Sequence, residues 1–463
     1  MIPFSISKVH DRFLITITYF RHLEAKRIMT IKDHFRKNIV LASPVIIGQL
    51  GHIMVSVADT VMVGKVGVIP LAGATFATAI YHVFMLFGLG VSYAITPLVA
   101  ATQPADKKGR LIFLQNSILL NTLLALTMCL ITLMLTPYLS FFGQEPSVTW
   151  AATFYLKIIS MSLIPLMIFQ TFRQFSEGQS NTLSPMIVSV LANVLNILLN
   201  YAFIYGHWGF SGMGLNGAGY ATLVSRCVMV ILIMVFTRDM WQGLSGHFDL
   251  VVIKRLLRIG VPSGLQYVFE IGAFSMAGVM AGWISAAALA AHQIALNMVA
   301  VTYMAASGLG AAAAIRIANQ MGKKDLKNLK LAGFSCLALV AIFMFLAAIF
   351  IITARHWLIQ LYIDDEAVQK IALGLLLIAA GFQISDGLQA VGLGVLRGLT
   401  DVKVPAFVTF FVYWICAIPS SYLLAFHFEM GLSGIWYALS GALTLAALLH
   451  IFRFTYLANR IQF

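Results

Sequence analysis

Apolar runs long enough to cross a bilayer recur along this chain, and they leave little choice of architecture. A spanning helix needs about 20 mainly apolar residues. Runs of that kind fall at 38–64, 69–100, 111–142, 150–176, 183–206, 214–237, 252–283, 287–320, 328–361, 367–394, 402–427 and 432–456. They predict an all-α membrane protein of about twelve transmembrane helices. Composition agrees: 60% of residues are hydrophobic, 10% are charged, and the mean hydropathy is +0.90. A soluble chain of 463 residues needs more polar surface than 30 Lys/Arg and 17 Asp/Glu can supply.

The formal net charge of +13 raises the question of a nucleic-acid partner. The basic residues sit in short connectors between apolar runs, however, and no nucleic-acid motif accompanies them, so none is expected. They act instead as a topology signal. Of the 30 Lys and Arg, only Lys65, Lys157, Arg355 and Lys370 fall on one side; Arg226 lies inside a span and the remaining 25 fall on the other side. The positive-inside bias predicts that both termini are cytoplasmic, in a bacterial inner membrane. Residues 1–37 carry eight Lys/Arg without a signal-peptide core or cleavage site, and read as a cytoplasmic basic arm. Cys129, Cys227, Cys336 and Cys416 are scattered through apolar runs, which fits packing and neither disulfides nor a zinc site.

The chain also repeats itself. Pro44 and Leu71-Ala72 recur as Pro262 and Leu289-Ala290, while Gly88-Leu89-Gly90 recurs as Gly308-Leu309-Gly310. Gly178 and Pro185 recur as Gly398 and Pro405; Gly214, Gly217 and Tyr220 recur as Gly431, Gly434 and Tyr437. The shared order and spacing predict two parallel six-helix repeats related by an axis along the membrane normal. The expected units are an N-lobe over 38–238, a connector over 239–251 and a C-lobe over 252–463.

Against this background, acids inside spans are informative. A charge at mid-bilayer costs about 2.5–3.5 kcal/mol even on the lenient insertion scale. Asp59, Glu270 and Asp386 are expected to lie within spans, the other acids in connectors or the arm, and Arg226 is expected to be the one base well inside a span. A structural pair with Arg226 would satisfy an acid without any function. The repeat argues otherwise, because it aligns Asp59 with Ala277, Glu270 with His52 and Asp386 with Leu166. A purely architectural charge would more naturally recur in both halves. Asn193, Asn196 and Asn200 share one face of the fifth span, expected to meet Asp59 or a wet cavity; interhelical hydrogen bonding alone is the alternative. Thr222 can join them or bond its own helix backbone. His52, on the face of Asp59, is a candidate relay or a packing histidine, and Gln293 is a second accessory candidate. No phosphate-binding loop, HExxH or nucleophile elbow is present, so no catalytic residue and no cofactor is expected.

Several of these segments resemble the multidrug and toxic compound extrusion (MATE) transporters, most closely their NorM-like bacterial branch. The resemblance rests on Ala58-Asp59-Thr60 with Pro44, on Glu270, on Ala291 through Asn297, and on Gln383-Ile384-Ser385-Asp386 followed by Gly394 through Gly398. Asn196 through Tyr201 also fits. It implies two lobes around a central cavity and exchange of Na+ or H+ for organic cations and other amphipathic drugs. It also implies coupling at Glu270 and Asp386, with Na+ or H+ held there, and an N-lobe acid, Asp59, partnered by Asn196, Asn200 and Thr222. Phe382 departs from the pattern, standing where a tyrosine is expected. The transporter is expected to act as a monomer in the lipid bilayer. A lipid or oligosaccharide flippase of similar architecture is the alternative, and it would favour a cavity rich in Arg and Lys. An intramembrane enzyme using the Glu270 and Asp386 pair, or a channel, is a more distant reading.

The charge bias generates a direct test. Single cysteines placed in 1–37 are expected to react with a membrane-impermeant maleimide only in inside-out vesicles. Labelling from the periplasmic side alone would reverse the topology.

Overall fold

The computed structural model describes residues 30–103, 106–244, 246 and 248–462; most of the basic arm therefore lies outside the described residues. Among the described residues, twelve helices are long and apolar enough to span a membrane. They are α1 (Ile31–Gly64), α2 (Val68–Ala100), α3 (Lys107–Phe142), α4 (Pro146–Gly178), α5 (Leu183–Tyr205), α6 (Leu215–Phe236), α7 (Leu250–Ile284), α8 (Ala286–Lys323), α9 (Leu326–Gln360), α10 (Glu366–Gly398), α11 (Lys403–His427) and α12 (Gly431–Arg460). No strand occurs among the described residues. The first helix starts at Ile31, earlier than the apolar run at 38 predicts, because Thr30 and Asp33 form a reciprocal cap: Thr30 N donates to Asp33 Oδ2 at 2.9 Å and Asp33 N to Thr30 Oγ1 at 3.3 Å.

Many connector acids have the same job. Asp106, Asp249, Asp325 and Asp365 each accept a backbone N–H at the start of α3, α7, α9 and α10. An anionic cap satisfies an orphan donor and complements the positive end of the helix dipole. These charges are therefore spent on helix starts, which leaves few to account for within the spans.

Helices α1–α6 and α7–α12 form two lobes. The first has one continuous core running through Tyr81, Leu98, Leu156, Phe172 and Ile233. The second has a cluster about Tyr413 and Trp436 and another about Met344, Val391 and Phe454. Lipid is as apolar as a leucine side chain, so helices associate here by close packing rather than by escape from water. Small residues make that packing close: a Cβ added at Gly310 of α8 would lie 2.9 Å from the Ala390 carbonyl oxygen of α10.

The lobes meet along α2–α7 and α1–α8, at the end that carries the basic connectors. Gly90 of α2 faces Gly264 of α7 so closely that a Cβ on Gly90 would lie 2.5 Å from Gly264 Cα. Hydrogen bonds cross the seam nearby: Asn38 Nδ2 donates to Ser335 Oγ at 2.9 Å, Gln49 Nε2 to Ser307 Oγ at 3.4 Å, and Asn319 Nδ2 to Ser180 Oγ at 3.1 Å. Toward its other end α1 leaves Met54, Val57 and Val61 exposed. The bundle is thus closed at the basic end.

The two halves differ in how their equivalent helices are drawn. Helix α4 is interrupted at Ser162, three residues before Pro165, whereas its counterpart α10 runs unbroken. Helix α5 is regular, but α11 contains π-helical stretches at Phe411–Ala417 and Leu423–His427. Counting locates an insertion. A Cβ at Gly217 would meet the Phe203 carbonyl, and one at its repeat partner Gly434 would meet that of Leu424. Pro405 to Leu424 is one residue longer than Pro185 to Phe203, and a π-bulge is how a helix absorbs one extra residue.

A larger side chain at the seam should hold it open. Gly90→Val adds volume against backbone, where overpacking costs about 1–3 kcal/mol. A cysteine at Ser307 is expected to react faster with a hydrophilic maleimide in that variant; unchanged reactivity would show that the seam yields elsewhere.

Candidate functional site

In the C-lobe, Glu270 of α7 and Asp386 of α10 are 5% and 4% exposed. The two carboxylates are within electrostatic reach of each other. Gln389, one turn beyond Asp386, donates through Nε2 to Glu270 Oε1 at 3.3 Å. Glu270 Oε2 and Asp386 Oδ2 are buried without a hydrogen-bond partner. A buried oxygen that nothing satisfies is costly, so the pair has an unmet need for a cation or a proton. The phenols of Tyr303 (α8) and Tyr413 (α11) reach both acids electrostatically. Phe382, where a tyrosine is expected, is buried against Trp436 with ring centroids 5.8 Å apart. The phenols of this site thus come from other helices.

Local structure explains how these groups converge. The π segment of α11 lies against α7, where Trp414 Nε1 donates to the Phe269 carbonyl at 2.9 Å, one residue before Glu270. That contact sets the bulge beside the acid. Tyr413 occupies the repeat position of Asn193, so the internal alignment could have nominated it. Gln383 Oε1 accepts from Thr302 at 3.1 Å, tying α10 to α8.

The N-lobe holds a second polar group. Asn200 Nδ2 donates to Asp59 Oδ1 at 2.5 Å and to Asn196 Oδ1 at 3.1 Å. Asn196 Nδ2 in turn approaches Ser225 Oγ at 3.3 Å and Thr222 Oγ1 at 3.5 Å. The asparagine face of α5 therefore does meet Asp59, and Ser225 is a further partner, unmarked in the sequence because a lone serine in a span is ordinary. Asn193 is not joined to this chain: its Nδ2 is buried without a partner, against Gly51. His52 is exposed and one of several groups around Arg226, while Gln293 is also exposed and no hydrogen bond links it to the acids. Its neighbour His292 is the buried one, accepting from Trp436 Nε1 at 3.1 Å.

Two expectations about charge need correction. Glu177 is only 2% exposed, because α4 continues to Gly178 and carries it into the seam. There Arg173 Nε pairs with Glu177 Oε1 at 2.7 Å. Nor is Arg226 the only base within helices: Arg316 and Arg397 are buried. Arg397 stacks 4.6 Å from the Tyr93 ring centroid and 5.9 Å from that of Tyr267. All three additional arginines lie near the basic end, where hydropathy alone cannot separate a helix terminus from a connector. With Gln49, Tyr303 and Ser307, Arg173 and Arg397 line a narrow space between the lobes.

This architecture has known counterparts. The MatE family model matches residues 44–202 and 262–423. A probable multidrug resistance protein NorM of Pseudomonas putida is 32% identical over 435 residues, covering 91% of this chain and 94% of its own. A protein of the same description from Brucella suis is 31% identical over 430 residues, covering 89% and 91%. Among solved structures, the eukaryotic MATE transporter AtDTX14 superposes with a TM-score of 0.82 at 21% identity, covering 91% of this chain and 95% of that one. An outward-facing multidrug resistance MATE transporter of the MOP superfamily gives 0.84 at 18%, covering 92% and 96%.

The Asp59 chain makes a thermodynamic prediction. Asn200→Ala leaves a half-buried carboxylate short of a donor and should cost about 1–3 kcal/mol, read as a lower Tm of the detergent-purified protein. In an Asp59→Asn background the loss should shrink. Equal losses in both backgrounds would mean that Asn200 acts through packing alone.

Proposed function

This chain belongs to the MatE family of multidrug and toxic compound extrusion transporters, and we propose that it is a secondary active antiporter that exchanges Na+ or H+ for organic cations and amphipathic drugs. The observation that carries the coupling is the Glu270–Asp386 pair, two buried carboxylates with one oxygen each left unsatisfied.

The mechanism follows from the cost of that pair. Empty and charged, two adjacent carboxylates favour a conformation that lets water reach them. Na+ bound between oxygen ligands, or a proton on one acid, removes the need and permits closure. The residues fit either ion: carboxylate oxygens with the Gln389 amide and the Tyr303 and Tyr413 phenols nearby suit a hard cation, and like charges in one site favour proton uptake. Drug and ion then couple because each binds the two conformations with different affinity. One charge crossing 100 mV supplies roughly 2.3 kcal/mol, before any concentration gradient is counted.

With the basic connectors placed in the cytoplasm of a bacterial inner membrane, the seam described above is the cytoplasmic gate in its closed state. Reopening it requires Gly90 to leave Gly264 and Arg397 to leave the Tyr93 ring. A flippase would favour a cavity rich in unpaired basic groups; Arg173 is neutralised by Glu177 and Arg397 is stacked on tyrosines, which leaves Arg226 as a single candidate. No residue here is assigned a catalytic role.

If the two acids act as one ion site, their losses are not additive. Glu270→Gln and Asp386→Asn should each abolish gradient-driven efflux from proteoliposomes, and the double variant should add little. Imposing Na+ and pH gradients separately identifies the ion. Retained coupling in either single variant, or two partial defects that multiply, would count against a shared site.

A further inference from the structure

The seam between the lobes encloses a charge that its own walls do not cancel. Arg173 and Glu177 of α4, Arg397 of α10, Gln49 of α1, Tyr93 of α2 and Tyr267 of α7 are among the residues around a narrow space of about 20 Å³. One water needs about 10–15 Å³ of such space. There is room for one water or one monatomic ion, and none for a phosphate or a drug. With two arginines and one glutamate in the lining, the walls carry a surplus positive charge.

That surplus falls on Arg397. Arg173 and Glu177 neutralise each other, Nε to Oε1 at 2.7 Å. Arg397 is only 9% exposed, and among the described residues it has neither an ion pair nor a hydrogen-bond acceptor. It has two tyrosine faces instead, its guanidinium carbon lying 4.6 Å from the Tyr93 ring centroid and 5.9 Å from that of Tyr267. A ring face attracts the charge. Five N–H donors still need acceptors, however, and an uncompensated buried charge is costly.

The internal repeat shows that an obvious partner is present but taken. At the offset that aligns Gly178 with Gly398, Arg397 corresponds to Glu177 and Arg173 to Leu393. A base and an acid thus stand at equivalent places in the two lobes, and pairing across the seam would satisfy both. Glu177 pairs instead with Arg173, one turn back on its own helix. The chain carries one arginine more than the cross-pair requires.

The neutral groups add donors. Tyr303 and Ser307 of α8 bring hydroxyls to the lining. Gln49 Nε2 donates to Ser307 Oγ at 3.4 Å, while its Oε1 is buried without a partner. With the amide turned over, Ser307 donates to Oε1 and the NH2 group joins the donors.

We propose that this space is a binding site for a small monovalent anion of about the size of chloride, held between Arg173 of one lobe and Arg397 of the other. One negative charge cancels the surplus, and a spherical ion accepts hydrogen bonds from every side. Because its two arginines belong to different lobes, the anion binds only the shut seam and weights that conformation. The site takes no part in the exchange of ion for drug, so it stands whichever cation drives export.

Chloride NMR line broadening tests it, on detergent-purified full-length protein with chloride titrated into gluconate buffer at constant ionic strength. Wild type should broaden the resonance saturably. Arg397→Gln should weaken binding roughly tenfold, and Arg397→Lys, which keeps the charge, should fall between them. Chloride should also raise the Tm of the wild type relative to gluconate and leave that of Arg397→Gln unchanged. Equal broadening by wild type and Arg397→Gln would put the ion on the exposed basic connectors and overturn the assignment. Wild type without saturable broadening leaves the space to water and overturns it too. Should Arg397→Gln not fold, competition in the wild type decides: bromide should displace chloride and sulfate, too large for the space, should not. Displacement by sulfate as effective as by bromide marks surface binding and removes the site.

Discussion

A charge inside a lipid-embedded bundle must be neutralised, hydrated or given a ligand, and this chain handles its charges in all these ways. At helix starts, Asp106, Asp249, Asp325 and Asp365 are absorbed as caps. In the seam, Arg173 is matched with Glu177 and Arg397 lies on aromatic faces. Arg316 is met by the His34 ring; the other charges within the spans are Glu270 with Asp386 in one lobe and Asp59 with Arg226 in the other. These are the groups that the fold holds without fully satisfying, and an incoming ion or compound can complete them.

The seam and the two polar pockets depend on opposite kinds of packing. Along α2–α7, glycine brings backbone against backbone, and the side-chain contacts that must be released lie around that crossing: Asn38, Gln49 and Asn319 by hydrogen bonds and Arg397 on the Tyr93 ring. The pockets instead use long polar side chains from several helices. Glu270, Gln389, Tyr303 and Tyr413 come from α7, α10, α8 and α11, so any relative shift of those helices changes the coordination they can offer. A site built across moving parts can sense the movement.

Much of this was legible in the sequence, and the reasons are physical. Twelve runs and their repeat follow from hydropathy and spacing, because every backbone group in lipid must be satisfied within its own helix. Asp59, Glu270 and Asp386 stood out because acids in apolar runs are rare, and the Asn196–Asn200 face followed from helical period. The phenols Tyr303 and Tyr413 did not stand out, since tyrosine is common at membrane interfaces and its depth cannot be read from composition. Glu177 and Arg397 were hidden for a related reason: they sit where helices outrun their apolar stretches, so a sequence window assigns them to connectors. Asn193 shows the converse limit. It shares the helical face of Asn196 and Asn200, yet Gly51 lets α1 approach its amide too closely for it to join the Asp59 chain.

The extra residue in α11 has a consequence for how a duplicated chain can acquire two unlike halves. In a regular helix each residue advances the azimuth by about 100°, so one inserted residue would rephase every side chain after it; a π-bulge takes up the extra residue and confines the change of direction to the bulge. Point substitutions change one group at a time; a single insertion re-aims the bulged segment at once, while the crossing of α11 at Gly434 matches that of α5 at Gly217. Helix α5 keeps its asparagines in the original phase and delivers them to Asp59. Helix α11 has Tyr413 and Trp414 inside its bulge and beside Glu270. The asymmetry between the lobes can then arise from a change in counting as much as from a change in chemistry.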